Sequence, residues 1–172
     1  PAQAGELDPL AEALVGHAVR RGLPIVALST GLTGAGLAQE TLARLTAVEG
    51  YSETLTHLNL GYLPGGPVGL LQFAHFPRTA FRADFAGRDF ARQGGLWALP
   101  VLSGINSLDD FGAVIVISAA PDDARAWIEQ TQGTRTPVVL AVSAGSAPLV
   151  RSYYEADQAA APARLAGLVS GL

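Results

Sequence analysis

Ala113-Val114-Ile115-Val116-Ile117-Ser118-Ala119-Ala120-Pro121-Asp122-Asp123 is the stretch that decides the fold class. A β-branched apolar run ends on small residues and passes into Pro-Asp-Asp, which opens a helix well. Proline fixes φ, and the two carboxylates face the positive end of the helix dipole. The run is near-continuous rather than alternating. Strands buried on both faces look like this, which implies parallel pairing with helices above and below.

Similar units lie on either side. Residues 137–142 lead into Ser143-Ala144-Gly145-Ser146, where Ser146 is placed to cap a helix carrying Leu149 and Tyr153. Residues 24–29 are followed by Ala38, Leu42 and Leu45 at helical spacing. Residues 56–60 alternate more, which suits an edge, and Pro67 then opens a helix through Leu70, Leu71 and Phe73. At the start, Leu7, Leu10, Leu14 and Ala18 form an apolar stripe, with Asp8 as N-cap and Pro9 at the first helical position. At the end, Pro162 opens a last expected helix with Leu165, Leu168 and Leu172 on one side.

Strand and helix thus alternate four times. The expected fold is a single α/β domain over residues 1–172, with a doubly wound, mainly parallel sheet of four strands or slightly more and helices on both faces. Residues 76–110 are too long for a simple connection and read as an insertion or lid between the second and third strands. On this reading Ile115 or Val139 replaced by Asp puts an unpaired charge inside a two-sided sheet and unfolds the domain.

Composition narrows the chemistry. The chain has 172 residues, 49% hydrophobic and 15% charged, with a net charge of −4, which argues against general attraction to nucleic acid. It contains no Cys, so thiolate nucleophiles and Cys-ligated metals are excluded. All eleven basic residues are Arg, which removes Schiff-base chemistry and the Walker lysine. There is no Met either, so a processed chain or an excised domain is expected. The run Ala113 to Ile117 is far too short to cross a bilayer, which takes about 20 residues.

Ligands of open parallel sheets bind beyond the carboxyl ends of the strands, where strands turn into helices. The candidate residues are therefore Ser29, Thr30, Gly31, Thr33 and Gly34 in the first loop, Tyr62, Gly65 and Gly66 in the second, Ser118 in the third, and Ser143, Gly145 and Ser146 in the fourth. The first loop is not a dinucleotide motif. Gly34 and Gly36 supply the first pair of G-x-G-x-x-G, but Gln39 stands at the third position. Ala141-Val142-Ser143-Ala144-Gly145 approaches a nucleophile elbow, yet no His follows it. Of the three histidines, His17 and His57 read as structural, and His75 reaches the ligand edge only if its helix folds back. No His or acidic pair has metal-ligand spacing; Asp109-Asp110 reads as capping, and Asp122-Asp123 answers the helix dipole. No cofactor is expected.

In the insertion, Phe73, Phe76, Phe81, Phe85 and Phe90 interleave with Arg78, Arg82, Arg88 and Arg92. Helical spacing puts Phe81 with Phe85 and Arg78 with Arg82, and sets Asp84 four before Arg88. Such a segment is an aromatic lid contacting an anionic ligand, a patch for lipid headgroups or a partner, or a solvated helix docking its Phe residues in the core.

Asp110-Phe111-Gly112-Ala113-Val114-Ile115-Val116-Ile117, Ala126-Trp127-Ile128-Glu129-Gln130, Pro148-Leu149-Val150-Arg151-Ser152-Tyr153-Tyr154 and the Leu165 to Leu172 segment resemble soluble domains of membrane-anchored bacterial proteins of unknown function. Gly61-Tyr62-Leu63-Pro64-Gly65-Gly66-Pro67 fits the same resemblance. It implies a parent that holds this domain outside the bilayer, on the extracytoplasmic side, by segments beyond this chain. The expected function is a non-catalytic ligand-binding or interaction domain with an unidentified small molecule or protein as partner. The alternatives are an enzyme at the strand ends (a hydrolase using Ser143, or a transferase handling a sugar or phosphorylated substrate) and a structural assembly domain.

Overall fold

A computed structural model describes residues 2–47, 51–160 and 164–170. Helix α1 (Ala2–Arg20) leads to β1 (Ile25–Ser29), α2 (Gly34–Leu45), β2 (His57–Tyr62) and α3 (Gly66–His75). The short α4 (Pro77–Ala80) and four single 3₁₀ turns fill the insertion. They are followed by β3 (Val114–Ser118), α5 (Pro121–Gln130), β4 (Val138–Val142), α6 (Ala147–Ala160) and β5 (Leu165–Ser170).

The protein is α/β and its strands pair in parallel, but they form two sheets instead of one of four strands. One sheet is β1-β2, the other β3-β4-β5. Each neighbouring pair is a strand–helix–strand unit, the connection parallel pairing demands. Both sheets feed one core, in which Leu58 and Leu60 of β2 meet Val116, Val138, Leu140 and Leu165 of the other sheet. Apolar runs report which strands are buried and leave open which of them are neighbours, so the break between β1 and β3 has no sequence signature.

Three further expectations are corrected. Residues 165–170 are the fifth strand, not a helix; Pro162 and Leu172 lie outside the described residues. Leu165 and Leu168 do have helical spacing, but a free edge on β4 outweighs that weak local preference, and Leu140 pairs with Leu168. Helix α1 already runs through Asp8 and Pro9, so Pro9 sits inside it. The carbonyl that loses its partner belongs to Gly5, an exposed residue where water can replace the bond. In α6 the buried side is Val150 and Tyr154 against the core, while Leu149 and Tyr153 face out.

Nor is β3 buried on both faces: Val116 is 5% exposed and Ile115 42%. Register puts Ile115 in a row with Val139 and Gly167, and Ile117 with Ala141 and Val169, on the side opposite the core. Helix α1 packs against β3 and β4 and leaves both Ile115 and Val169 partly open.

The insertion covers the outer edge of β2 and the segment before it. Phe85 N–H donates to Asn59 O (2.9 Å), and Val101 N–H to Thr54 O (3.1 Å), so backbone groups that an edge strand would leave bare are paired. Thr54 takes φ +69°, a costly region for a β-branched residue. It is held there by that bond and by its own N–H to His57 O (2.8 Å).

Candidate functional site

The turn after β1 is closed by its own serine. Ser29 Oγ donates to Gly31 O (2.7 Å) and accepts from Gly31 N–H (3.0 Å). Gly34 then starts α2 so close to this hydroxyl that a Cβ there would lie 2.2 Å from Ser29 Oγ. Thr33 precedes the helix without a side-chain cap bond, and Leu32 stands at the loop tip, 77% exposed.

Asn59 joins this turn to the end of β2. Its side chain is buried, donates from Nδ2 to Ala35 O (2.9 Å) and Gln39 Oε1 (3.2 Å), and accepts Gly61 N–H at Oδ1 (2.9 Å). Gln39, the residue that breaks the dinucleotide pattern, is thus a working part of the turn. Gly61 takes φ +91°, and a Cβ on it would sit 3.3 Å from Phe85 Cα, so the insertion lies flush against the strand. Beyond Tyr62, Gly65 and Gly66 take the positive φ that turns the chain into α3.

These elements enclose a cleft of about 380 Å³ at the carboxyl end of β2. Leu32 and Ala35 come from the first turn and helix, and Leu60, Gly61 and Tyr62 from the strand. Phe81, Ala83, Asp84 and Phe85 come from the insertion. Most lining side chains are apolar or aromatic, though polar atoms make up nearly half of the surface left open in the cleft, and the rim formed by Leu32, Tyr62 and Phe85 is exposed. Of the twelve sequence-derived site residues, Tyr62 lines the cleft, while Ser29, Thr30, Gly31, Thr33 and Gly34 belong to the turn beside it.

The insertion wall is not helical where Phe81 and Phe85 were expected to share a helix face: Phe81 is extended. Phe81 is buried edge-on against Phe73 (ring centroids 5.9 Å apart), and Phe85 faces outward. Asp84 and Arg88 do pair. The nearly inaccessible Asp84 carboxylate accepts Arg88 N–H (2.8 Å) and the guanidinium, whose two other nitrogens grip Glu53 at 2.8 Å each. Those hydrogen bonds to Glu53 raise the Arg88 pKa above its ordinary value, against the opposing effect of burial. None of Arg78, Arg82, Arg88 or Arg92 lines the cleft, and Arg78 is spent on Ile105 O (2.9 Å).

The remaining candidates are gathered at the other sheet. Ser143 is fully buried, with its Oγ 3.4 Å from Ala119 O and 3.1 Å from Ser146 Oγ; Ser146 Oγ donates to Ala119 O at 2.6 Å. Together they stitch the β4–α6 turn to the β3–α5 turn. Ser118 Oγ closes its own turn on Ala120 and reaches Asp123 Oδ2 (3.2 Å). Gly145 is exposed in the β4–α6 turn. A nucleophile needs a base within reach to take its proton, and Ser143 has carbonyl and hydroxyl neighbours instead. Parallel topology carries His75, at the end of α3, toward the opposite ends of the strands. There its ring lies against Gly133 of the α5–β4 connection. His57 opens β2, with Nε2 3.3 Å from Thr46 Oγ1 and Nδ1 buried without a hydrogen-bond partner among the described residues. Burial lowers its pKa, and the nearby Glu53 only partly offsets this. Among the described residues, no group of three or more His, Asp or Glu is placed to hold a metal ion.

Sequence reasoning did not anticipate the buried pair of Arg164 and Asp157, which fastens the start of β5 to α6 and α5. Arg164 also donates to Thr131 Oγ1 (2.7 Å) and Ile128 O (3.2 Å). It also left out Ala35, Leu60, Ala83 and Asp84 as cleft residues; the Phe/Arg composition of the insertion was the one available signal for that wall.

No protein-family model matches the chain, and no curated protein or solved structure matches it either.

Proposed function

We propose that this chain is a non-catalytic ligand-binding or interaction domain whose binding surface is the cleft at the end of β2, and that its parent is a membrane-anchored bacterial protein displaying it on the extracytoplasmic side. The observation that carries the reading is the cleft's lining: three aromatic rings and four aliphatic side chains around a single carboxylate already engaged by Arg88. Concave, largely apolar surfaces with few polar groups are where small apolar ligands or a partner's apolar side chains are held. The favoured occupant carries no negative charge and presents an apolar or aromatic group, because no cationic side chain lines the cleft to meet an anion and aromatic rings do line it. The buried, base-free Ser143 lends the hydrolase alternative no support. The partly open apolar face that carries Ile115 and Val169 favours a second reading as an assembly domain, with sedimentation of the purified chain as its test.

The test of the binding reading is a thermal-shift screen of apolar and aromatic compounds alongside nucleotides, sugars and sugar phosphates, repeated on Phe85→Ala and Tyr62→Ala. A ligand that binds only the folded state stabilises it by about 2.7 kcal/mol at a hundredfold excess over Kd. Shifts from the apolar class that vanish in both variants support the reading. Shifts only from phosphorylated compounds, or shifts unchanged in both variants, overturn it.

A further inference from the structure

Phe81 and Phe90 anchor the cleft's outer wall in the core at its two ends. Trp97 Nε1–H adds a bond to Phe81 O (2.9 Å). Between those anchors no apolar side chain is buried; the one buried side chain is the Asp84 carboxylate. Residues 82–89 are therefore held by polar contacts: the Phe85–Asn59 backbone bond, the Asp84–Arg88 pair and the grip of Arg88 on Glu53. Segments with little apolar burial open at lower free energy than the core they lie on.

From this arrangement we propose that Arg88 and Glu53 form a latch that holds residues 82–89 closed over the cleft, and that releasing Glu53 lets this wall open while both sheets stay folded. The proposal rests on the cleft being the binding site for its functional meaning, as the control on access to that site. The two carboxylates have different exposures, and that makes the latch workable. The Asp84 side chain is 2% exposed and the Glu53 side chain 40%. The outer half of the latch can exchange with solvent ions or a partner's charge. The inner half keeps Arg88 on Asp84, so opening leaves no bare charge in the interior. The Phe90 ring, 5.4 Å from the guanidinium carbon, supports Arg88 from below. Gly87, at φ +68° in a turn closed by its N–H to Asp84 O (2.9 Å), supplies the bend.

Amide hydrogen exchange on the free protein tests this, comparing the unaltered chain with Glu53→Gln, Glu53→Asp and Glu129→Gln. Glu129 pairs with Arg125 on the surface of α5 and controls for losing an ion pair as such. In Glu53→Gln the Phe85 amide exchanges about fivefold faster, the effect of losing an exposed pair near the strong end of its range, through a local opening that depends little on denaturant. Val116 and Leu140 amides exchange only through global unfolding, with its full denaturant dependence. Glu53→Asp, with the charge but a shorter reach, falls between, and Glu129→Gln leaves 82–89 unchanged. Unchanged exchange at Phe85 in Glu53→Gln overturns the latch, as does Phe85 exchange with the same denaturant dependence as Val116 and Leu140. No ligand enters this measurement. A moving wall with no compound ever bound sinks the binding reading alone, and a binding cleft with an unmoving wall sinks the latch alone.

Discussion

The carboxyl end of the β1–β2 unit and that of the β3–β4–β5 unit are built from strand-to-helix turns of similar composition, Ser29 to Gly34 in one and Ser143 to Ser146 in the other. In the second unit a neighbouring strand lies alongside, its loop offers the Ala119 carbonyl, and Ser143 and Ser146 both turn to it. Both serine side chains are buried and committed to that contact. In the first unit the Ser29 hydroxyl bonds within its own turn, the neighbouring wall comes from an irregular insertion, and a cleft is left between them. A serine or glycine at a strand end is therefore ambiguous until its neighbour is known. The two units are also fastened differently: a sealed Arg164–Asp157 pair in one, a half-exposed Arg88–Glu53 pair in the other.

The sharpest way to break this contrast is inside β3. Val116→Asp places a charge in the shared core and abolishes cooperative melting, whereas Ile115→Asp keeps a cooperative transition by circular dichroism, because its neighbour row is already partly in water. Equal damage from both means the outer face is covered after all. Next in size, Arg164→Ala strands the buried Asp157 and costs about 3–5 kcal/mol in denaturant unfolding, while Glu53→Gln costs about 1 kcal/mol or less. Comparable losses would remove the distinction between a sealed and a releasable tie. Smaller again, Ser143→Ala costs about 1–2 kcal/mol and Ser29→Ala less, since only the first removes a buried crossing between two turns. A larger loss at Ser29 would reverse the assignment of which turn is structural.

The smallest effect is a pH dependence. His57 in the folded protein binds a proton less readily than its ordinary 6.5, so between that value and its folded pKa the unfolded chain takes up the proton first. Stability is full above pH 6.5, falls as the pH drops through this window, and levels off below the folded pKa. Chemical denaturation of His57→Gln over the same range shows a flatter profile; an unchanged slope assigns the dependence to other groups.

Much of this architecture was legible because β-branched runs bounded by Pro, Ser and Gly are strong local signals. The strands at Ile25, His57, Val114 and Val138 all begin within a residue of their expected starts. What stayed hidden depends on distant partners. Leu165 and Leu168 fit a helix or a strand, and β4 decides between them. Ile115 looks as buried as Val116 in an unbroken apolar run, and only the extent of α1 exposes it. At the site, Tyr62 and the Ser29 turn were legible from strand-end logic. Asp84 was legible as a partner of Arg88 but not as part of a cleft, because the wall that carries it has no period to read, and Glu53, the other partner of Arg88, lies outside the insertion.

The anchoring of β5 has a mechanical side. The strand runs parallel to β4 from Arg164, whose carbonyl accepts Val138 N–H (2.8 Å) at the first rung of the ladder. Tension applied beyond Ser170 pulls along the strand, so the β4–β5 bonds carry the load together in shear instead of unzipping one at a time. The Arg164 guanidinium, locked under α5 and α6, resists the slide from the trailing end.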